Sequence, residues 1–471
     1  MEILSNIAPA RVFYYFEKIC SIPHGSGNTK QISEFCANVA KKLKLNYRTD
    51  EFNNVIIKKK ASAGYENHPP VILQGHLDMV CEKDNSCDLD LTKDGLTLCV
   101  EDDVIFAKGT TLGGDDGIAV AMALAILEDN SLCHPPLEVI FTTDEETGMY
   151  GAEGIDTSDI FSKTLINIDS EEEGVLTVGC AGGARTEILI PLSTEKSDKK
   201  QYLITVEGLR GGHSGIDINK GRYNANILIG KLLEHLPSDI RIAGIRGGSK
   251  DNVIPPLSEC IIASDTDPTE NVNHFINLYK TKSEPDLSIT VKETYSDNSV
   301  FDKESTKRII SFLCNVKNGV VCMNKELKDL VQTSLNLGIL YSDSNSLHAS
   351  FAVRSSLNEQ REQLISDLEY FAKSLGGGAS SYGRYPAWEY KKDSYLQSTM
   401  KDKFKQLFGK EPRIEVIHAG LECGLFCDKI KNLDAVSIGP DITDIHTTNE
   451  KLHITSTQRT YKYLIEVLKE L

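Results

Sequence analysis

Up to about residue 180, short apolar runs alternate with segments of helical pattern. The runs at 71–74, 137–141 and 165–168 have the length of buried strands, and the first two each follow a pair of prolines. Between those two runs, residues 117–128 are small and apolar on every side, which is typical of a helix buried among other elements. This order of elements predicts an α/β fold, arranged as a three-layer α/β/α domain.

The pattern changes to α+β between residues 186 and 388, where strand, helix and strand follow one another in two passes. The first pass is predicted at 202–207, 224–236 and 253–263, and the second at 325–337, 347–354 and 358–375. The α/β pattern then returns, with a strand at 435–438 and a terminal amphipathic helix. We therefore expect one domain formed by residues 1–185 and 389–471, with an α+β domain inserted at 186–388.

The balance of charge restricts the partners of this chain. Its 471 residues include 51 Lys and Arg against 68 Asp and Glu, which gives a net charge of −17. Such a negative balance argues against nucleic acid or an anionic membrane as the main partner. The sequence has no secretory leader pattern and no run of about 18 apolar residues. None of the 12 cysteines forms a CxxC pair, and together these features predict a cytoplasmic protein with reduced thiols.

The first polar motif, Gly75-His76-Leu77-Asp78, directly follows the strand predicted at 71–74. In open α/β sheets, binding sites form at the carboxyl ends of the strands. His76 could bind a metal ion through one ring nitrogen, while Asp78 accepts from the other ring N–H and fixes the tautomer. A lone His-x-Asp sequence is more often ordinary surface, so this motif gains its weight from the others.

Two pairs of adjacent acidic residues also stand at the ends of predicted elements, one before the apolar helix and one after a strand. Asp115 and Asp116 stand directly before the apolar helix, where helix capping would explain a single acid. Two acids at a buried helix end need a cation, and one carboxylate, for which Asp115 is the candidate, can bridge two metal ions. Glu145 and Glu146 follow the next strand, so that one could bind metal while the other acts as a general base.

Asp169 follows the strand at 165–168, and His446 follows the strand at 435–438 far along the chain. Two imidazoles and three carboxylates can form a two-metal site with one bridging aspartate. This mixed set of ligands suits zinc, and manganese or cobalt would also fit. Two neighbouring metal ions polarise a carbonyl group, lower the pKa of a water molecule and stabilise a tetrahedral intermediate, which is the chemistry of amide hydrolysis.

In order and context, these motifs resemble a family of zinc-dependent metallopeptidases with two co-catalytic metal ions. Within that family they are most similar to the aminoacyl-histidine dipeptidases, also called Xaa-His or cytosol non-specific dipeptidases. The resemblance covers essentially the whole chain and rests on Pro23-His24-Gly25-Ser26-Gly27-Asn28, Gln74-Gly75-His76-Leu77-Asp78-Met79-Val80, Thr142-Thr143-Asp144-Glu145-Glu146-Thr147-Gly148-Met149 and His418-Ala419-Gly420-Leu421-Glu422-Cys423-Gly424. The implied ligands are His76, Asp115 and Asp169 for one zinc ion, and Asp115, Glu146 and His446 for the other.

The resemblance also implies roles for residues that do not bind metal. Glu145 would be the general base, and Asp78 would orient His76. The family often has asparagine after the bridging aspartate, whereas this chain has Asp116, so the choice of bridging acid between Asp115 and Asp116 stays open.

The inserted domain would be a lid that contributes to substrate binding. Within Gly211-Gly212-His213-Ser214-Gly215, His213 is similar to the family's oxyanion-stabilising histidine, and an N–H-donating imidazole suits that role. Asn252 and Arg354 would contact the carboxylate of the substrate. Glu422 would pair with the free amine of a peptide.

The leading hypothesis is therefore hydrolysis of dipeptides, including Xaa-His dipeptides, by a metal-activated water with a glutamate base. An N-acyl amino acid amidohydrolase of the same fold is the alternative, and it would need no acceptor for a free amine. A non-catalytic metal-binding scaffold is a further alternative, but a scaffold has no use for Glu145. The partner is expected to be a short peptide, while monomer and homodimer both stay open, as does the chain on which His213 acts.

Overall fold

The computed structural model describes residues 3–295, 298–325 and 330–471. Within them, the helices are α1 Ala10–Cys20, α2 Lys30–Lys42, α3 Gly114–Glu128, α4 Glu145–Gly148, α5 Tyr150–Gly154, α6 Ala225–His235, α7 Thr269–Tyr279, α8 Lys303–Asn315, α9 Asn358–Ser374, α10 Tyr395–Phe408, α11 Glu422–Lys429 and α12 Ile454–Glu470.

The strands of the first half are β1 Asn46–Thr49, β2 Val55–Lys59, β3 Val71–His76, β4 Leu98–Glu101, β5 Val104–Ala107, β6 Leu137–Thr142, β7 Thr164–Asn167, β8 Val175–Cys180, β9 Gly182–Pro191, β10 Thr194–Lys196, β11 Lys200–Glu207 and β12 Gly212–His213. They are followed by β13 Arg241–Gly247, β14 Val253–Ile254, β15 Ser258–Ser264, β16 Ser288–Thr294, β17 Ser299–Phe301, β18 Gly319–Met323, β19 Val331–Ser342, β20 Ser346–Ser355, β21 Gly378–Tyr385, β22 Arg413–Ile417, β23 Asp434–Ser437, β24 Ile442–Thr443 and β25 Lys451–His453.

These elements form two compact units. Unit 1 contains the chain up to Gly179 together with Tyr390–Val416 and Leu421–Leu471, and unit 2 contains Cys180–Glu389 and Ile417–Gly420. The inserted domain expected at 186–388 falls within unit 2. The short return at 417–420 was not expected, and it is held there by a hydrogen bond from the Ala181 backbone N–H to the Ile417 carbonyl oxygen, 3.0 Å long.

Unit 1 is built on an eight-stranded sheet of order β1-β2-β6-β3-β7-β23-β8-β22. Its centre is parallel, because β6, β3, β7 and β23 all run in one direction. Every residue of β3 and β6 is buried, and since successive side chains point to opposite faces, both faces of the sheet are covered. The predicted α/β fold is confirmed. A separate four-stranded sheet has the order β24-β25-β5-β4.

The apolar segment before β6 forms α3, as predicted. Every residue from Ile118 to Leu127 is buried, so the helix has no polar face, and it packs against α1 and β3. The first turn of α3 is irregular, because Asp115 has an extended backbone with φ −81° and ψ 103°. Asp115 and Asp116 therefore lie at the N-terminal end of the apolar part of α3.

Unit 2 contains a larger, antiparallel sheet of order β16-β11-β15-β13-β19-β20-β9-β21, with β18 beside β19. In β9, buried and exposed residues alternate, so one face of the sheet is covered and the other is open. The buried side chains of this strand belong to the core that also contains residues of α6, α8 and α9.

The predicted second pass of strand, helix and strand in unit 2 is wrong. The segment 347–354 belongs to the strand β20, since Leu347, Ala349, Phe351 and Val353 are buried at every second position. The segment 358–375 contains the helix α9 instead of a strand. Residues 326–329 of the segment 325–337 lie outside the described residues, and the remainder contributes to β19.

Among the helices of the described residues, none is both long enough and apolar enough to cross a membrane.

Candidate active site

The parallel strands of unit 1 carry the candidate residues to one edge of the sheet. His76 is the last residue of β3, and Asp169 lies two positions beyond the end of β7. Glu145 and Glu146 open the short helix α4, three residues after β6 ends. Because parallel strands have their carboxyl ends at the same edge, residues distant in sequence converge there.

Asp115 lies between the two candidate imidazoles. Its Oδ1 is 3.0 Å from Nε2 of His76, and its Oδ2 is 3.1 Å from Nε2 of His446. The structure thus brings together the ends of α3, β3 and the loop after β24. A carboxylate whose two oxygens face two separate imidazoles has the arrangement required of a bridging ligand.

The two remaining predicted ligands, Glu146 and Asp169, each lie beside one of the two imidazoles. Nε2 of His446 is 2.8 Å from Oε1 of Glu146, and Nε2 of His76 is 3.5 Å from Oδ1 of Asp169. Asp115, Glu146 and His446 have ligand atoms that all lie within 4.8 Å of one another. His76 forms such a group with Asp116 and Asp169, and another with Glu145 and Glu146.

Asp116 is therefore close to the site, but it differs from Asp115 in what it contacts. Its Oδ2 accepts a hydrogen bond from the backbone N–H of His76 at 3.1 Å. Burial, followed by repulsion from the Asp169 carboxylate, raises the pKa of Asp116 well above its usual value. Of the two adjacent acids, only Asp115 has both carboxylate oxygens directed at the imidazoles of His76 and His446.

The crowding of carboxylates around the two imidazoles favours positive charge in the cluster. Hydrogen bonds to Asp115 and Glu146 raise the pKa of His446 to about 10. Burial would lower the pKa of His76, but the Asp169 carboxylate and the hydrogen bond to Asp115 raise it well above the usual value. Burial raises the pKa of Asp169 to about 6. A group of crowded acids that retains protons on its imidazoles fits a centre that holds metal cations.

Asp78 connects the first imidazole to the loop that bears the two glutamates. Its carboxylate accepts from the backbone N–H groups of Glu145 and Glu146, at 3.1 and 3.3 Å, and from the Ser26 hydroxyl at 2.8 Å. Nδ1 of His76 is 2.9 Å from the backbone oxygen of Asp78, but 3.6 Å from its carboxylate. Because a carbonyl oxygen only accepts, Nδ1 of His76 carries the proton and Nε2 is left for a metal ion.

Glu422 is fully buried behind this edge of the sheet. Its Oε2 accepts from the Gln74 amide and from the Thr142 hydroxyl, both at 2.6 Å, while Oε1 has no hydrogen-bond partner among the described residues. Burial raises the pKa of Glu422 to about 8. The sequence had indicated neither Gln74 nor Thr142 as partners, because both lie inside apolar strands.

The candidate residues of unit 2 form a second group. Nδ1 of His213 accepts from the backbone N–H groups of Gly215 and Ile216, both at 3.2 Å, so in the neutral ring the proton must be on Nε2. Burial, and then the charge of Arg354, lower the pKa of His213 and favour this neutral form. The carbonyl oxygen of Asn252 accepts from the Ser214 backbone N–H at 2.9 Å, which holds Asn252 beside the histidine.

Arg354 and His418 complete the group in unit 2. Nη1 of Arg354 donates to the Tyr385 hydroxyl at 3.0 Å, while its Nε is buried without a hydrogen-bond partner among the described residues. Burial and the Arg354 charge lower the pKa of His418 to about 3, and Nε2 of His418 lies 2.7 Å from the Ser334 hydroxyl oxygen. His418 had no predicted role, although it stands in one of the motifs that carry the family resemblance.

Residues 72–470 match the family model described as Peptidase family M20/M25/M40. The chain belongs to this family. The predicted resemblance and the prediction of a peptide hydrolase are thereby confirmed.

Individual members of the family extend this comparison. The chain is 36% identical to the cytosol non-specific dipeptidase of Escherichia coli (strain K12), over 100% of this chain and 99% of that protein. The crystal structure of aminoacylhistidine dipeptidase from Vibrio alginolyticus gives a TM-score of 0.93 at 36% identity, covering 99% of this chain and 98% of that one. A tripeptidase from Staphylococcus aureus shares the fold, with a TM-score of 0.57 at 16% identity and 98% of each chain covered.

Proposed function

We propose that this chain is a dipeptidase that uses two metal ions, and that its substrates include Xaa-His dipeptides. The observation that carries the two-metal proposal is the position of Asp115, whose two carboxylate oxygens face His76 and His446 at 3.0 and 3.1 Å. The substrate class is supported by the two relatives that are 36% identical along the chain and whose names specify dipeptides and aminoacyl-histidine.

The five candidate ligands fit two zinc ions in composition. Imidazole nitrogens and carboxylate oxygens are ligands that zinc prefers, and manganese or cobalt would also bind to them. When bound, such a metal pair polarises a carbonyl group and lowers the pKa of a water molecule. We assign His76, Asp115 and Asp169 to one ion, and Asp115, Glu146 and His446 to the other.

Glu145 is the proposed general base. It takes a proton from the attacking water and later gives a proton to the leaving amine nitrogen. Its position supports this role, because its carboxylate lies within 4.8 Å of ligand atoms of His76 and Glu146. The bond from its backbone N–H to Asp78 fixes it next to those ligands.

Residues of unit 2 are proposed to bind the substrate, with this unit acting as a lid. His213 donates its Nε2–H to the oxygen of the carbonyl under attack, a role supported by the two backbone donors on its Nδ1. Asn252 and Arg354 are proposed to contact the carboxylate of the dipeptide. In unit 1, the unpartnered Oε1 of Glu422 supports the proposal that this residue accepts from the free amine.

The test is a panel of dipeptides, tripeptides and N-acetyl amino acids, assayed with and without a chelator. We expect hydrolysis of dipeptides, Xaa-His among them, and loss of activity with chelator that returns when zinc is added. Activity that the chelator leaves untouched would exclude the metal mechanism. Hydrolysis of N-acetyl amino acids alone, unaffected by Glu422→Ala, would instead identify an N-acyl amino acid amidohydrolase.

We also propose that the protein acts in the cytoplasm. The name of the Escherichia coli relative specifies the cytosol, and no disulfide joins the cysteines of the described chain.

A further inference from the structure

Glu450 lies four residues after His446, immediately before β25, and its side chain is buried. Both of its oxygens point at the chain segment that leads into α3. The carboxylate accepts four backbone hydrogen bonds there, from Leu112 at 2.7 Å and Gly113 at 3.1 Å on Oε2, and from Gly114 at 2.8 Å and Asp115 at 3.4 Å on Oε1.

The two glycines of this segment have different causes, the backbone conformation at Gly113 and the approach of the Glu450 carboxylate at Gly114. Gly113 has φ +67°, a left-handed conformation that other residues rarely adopt. A Cβ atom on Gly114 would lie 3.2 Å from Oε1 of Glu450, closer than an ordinary contact. The segment is therefore shaped around Glu450 as well as around the helix that follows.

The backbone around Glu450 is held in place by contacts of its own. Leu452 and His453 of β25 pair with Ile105 and Val104 of β5. The Glu450 backbone N–H also donates to the carbonyl oxygen of Thr447 at 3.2 Å, which closes the turn after His446. The position of Glu450 is thus fixed by the sheet on one side and by the histidine loop on the other.

From these contacts we infer that Glu450 is a positioning residue for the metal centre, setting the distance between His446 and Asp115. It joins the loop that carries one imidazole to the segment that carries the bridging carboxylate. The inference rests on the proposed two-metal function. A carboxylate that only capped α3 would stabilise the fold without affecting how tightly the folded protein binds metal.

The test compares Glu450→Gln with the full-length parent protein after removal of metal and titration with Co²⁺ or Zn²⁺. The amide keeps the shape of the side chain but turns an N–H₂ group toward backbone donors. We expect metal affinity about 10- to 100-fold weaker in the folded variant, as for other groups that orient metal ligands, and an altered Co²⁺ absorption spectrum. We expect kcat to fall while KM stays within about twofold, since Glu450 is not proposed to contact the peptide.

Glu138→Gln is the matched control. Glu138 is a buried carboxylate near the opposite end of β6, and it accepts from the backbone N–H groups of Phe161 and Ser162 at 3.1 and 2.9 Å. We expect this control to lose stability while its metal affinity and Co²⁺ spectrum remain those of the parent protein.

Gly114→Ala provides a second approach to the same contact and decides the question if Glu450→Gln does not fold. Its added Cβ would lie 3.2 Å from Oε1 of Glu450 and shift the carboxylate by a few tenths of an ångström, so we expect a smaller loss of metal affinity in the same direction, still greater than twofold. Metal affinity and kcat within twofold of the parent in the folded variants would overturn the inference, as would an equal loss in Glu138→Gln. A parent protein that binds no metal would instead contradict the proposed function itself.

Discussion

Asp115 is constrained through both its side chain and its backbone. Its carboxylate oxygens face the imidazoles of His76 and His446, while its own N–H donates to Glu450. Asp78 is similar, because it contacts His76 through its backbone carbonyl and holds Glu145 through its carboxylate. Such contacts orient the candidate ligands in the absence of metal, which reduces the free energy needed to assemble the proposed site.

Glu145→Gln tests the division of work between the two adjacent glutamates. The amide cannot take a proton from water, so we expect kcat to fall about 100- to 10,000-fold, with bound metal and KM nearly unchanged. Steady-state kinetics and elemental analysis of the purified variant measure both effects. Glu146→Gln is the control and should lose metal instead. Loss of metal in Glu145→Gln would show that Glu145 is a ligand rather than the base.

At the scale of elements, the site depends on a strong contrast between apolar and acidic sequence. The strands β3 and β6 and the helix α3 are buried along their length, yet acids and a histidine stand at their ends. The rigid apolar elements hold the ends in place. The ends carry the polar side chains that are available for chemistry.

Leu124→Ala measures how far the buried helix stabilises the fold. Leu124 is fully buried in α3, and removing its side chain leaves a cavity, so we expect a loss of about 2–5 kcal/mol in the free energy of unfolding. Urea unfolding measures this loss. Leu278→Ala, at a position of α7 that is 58% exposed, should change stability by no more than about 0.5 kcal/mol. Equal effects of the two substitutions would contradict the proposed importance of α3.

Elements with a clear local pattern were predictable, and contacts across long sequence distances were not. The strand at 71–74 and the apolar helix at 117–128 could be predicted because each is an uninterrupted apolar run, and the lengths of the two runs distinguish a buried strand from a buried helix. The helix predicted at 347–354 is wrong because apolar residues alternate there at every second position, which is the period of a strand. Asp115 could be proposed as a bridge from its place before a buried helix, whereas the contact between Glu450 and that same segment has no local signal.

For the whole molecule, the crowded acids of unit 1 make metal binding and stability interdependent. Ions that bind only the folded state stabilise it, by about 4 kcal/mol when the free ion exceeds its Kd about 1,000-fold. We therefore expect a chelator to lower the temperature of unfolding and added zinc to restore it, as measured by calorimetry. The variant His446→Ala should respond less to both treatments. Identical unfolding curves with and without chelator would contradict a structural contribution from the ions.

The position of β23 between β7 and β8 has a consequence for synthesis of the chain. All of Cys180–Glu389 is made after β7 and before β22 and β23, so at about 5 to 20 residues per second the central sheet lacks these two strands for roughly 10 to 50 seconds. His446 and Glu450 leave the ribosome later still. Under the proposed function, a nascent chain holds most of the candidate acids without His446, and we expect the hydrolase to stay inactive until its own translation is nearly finished.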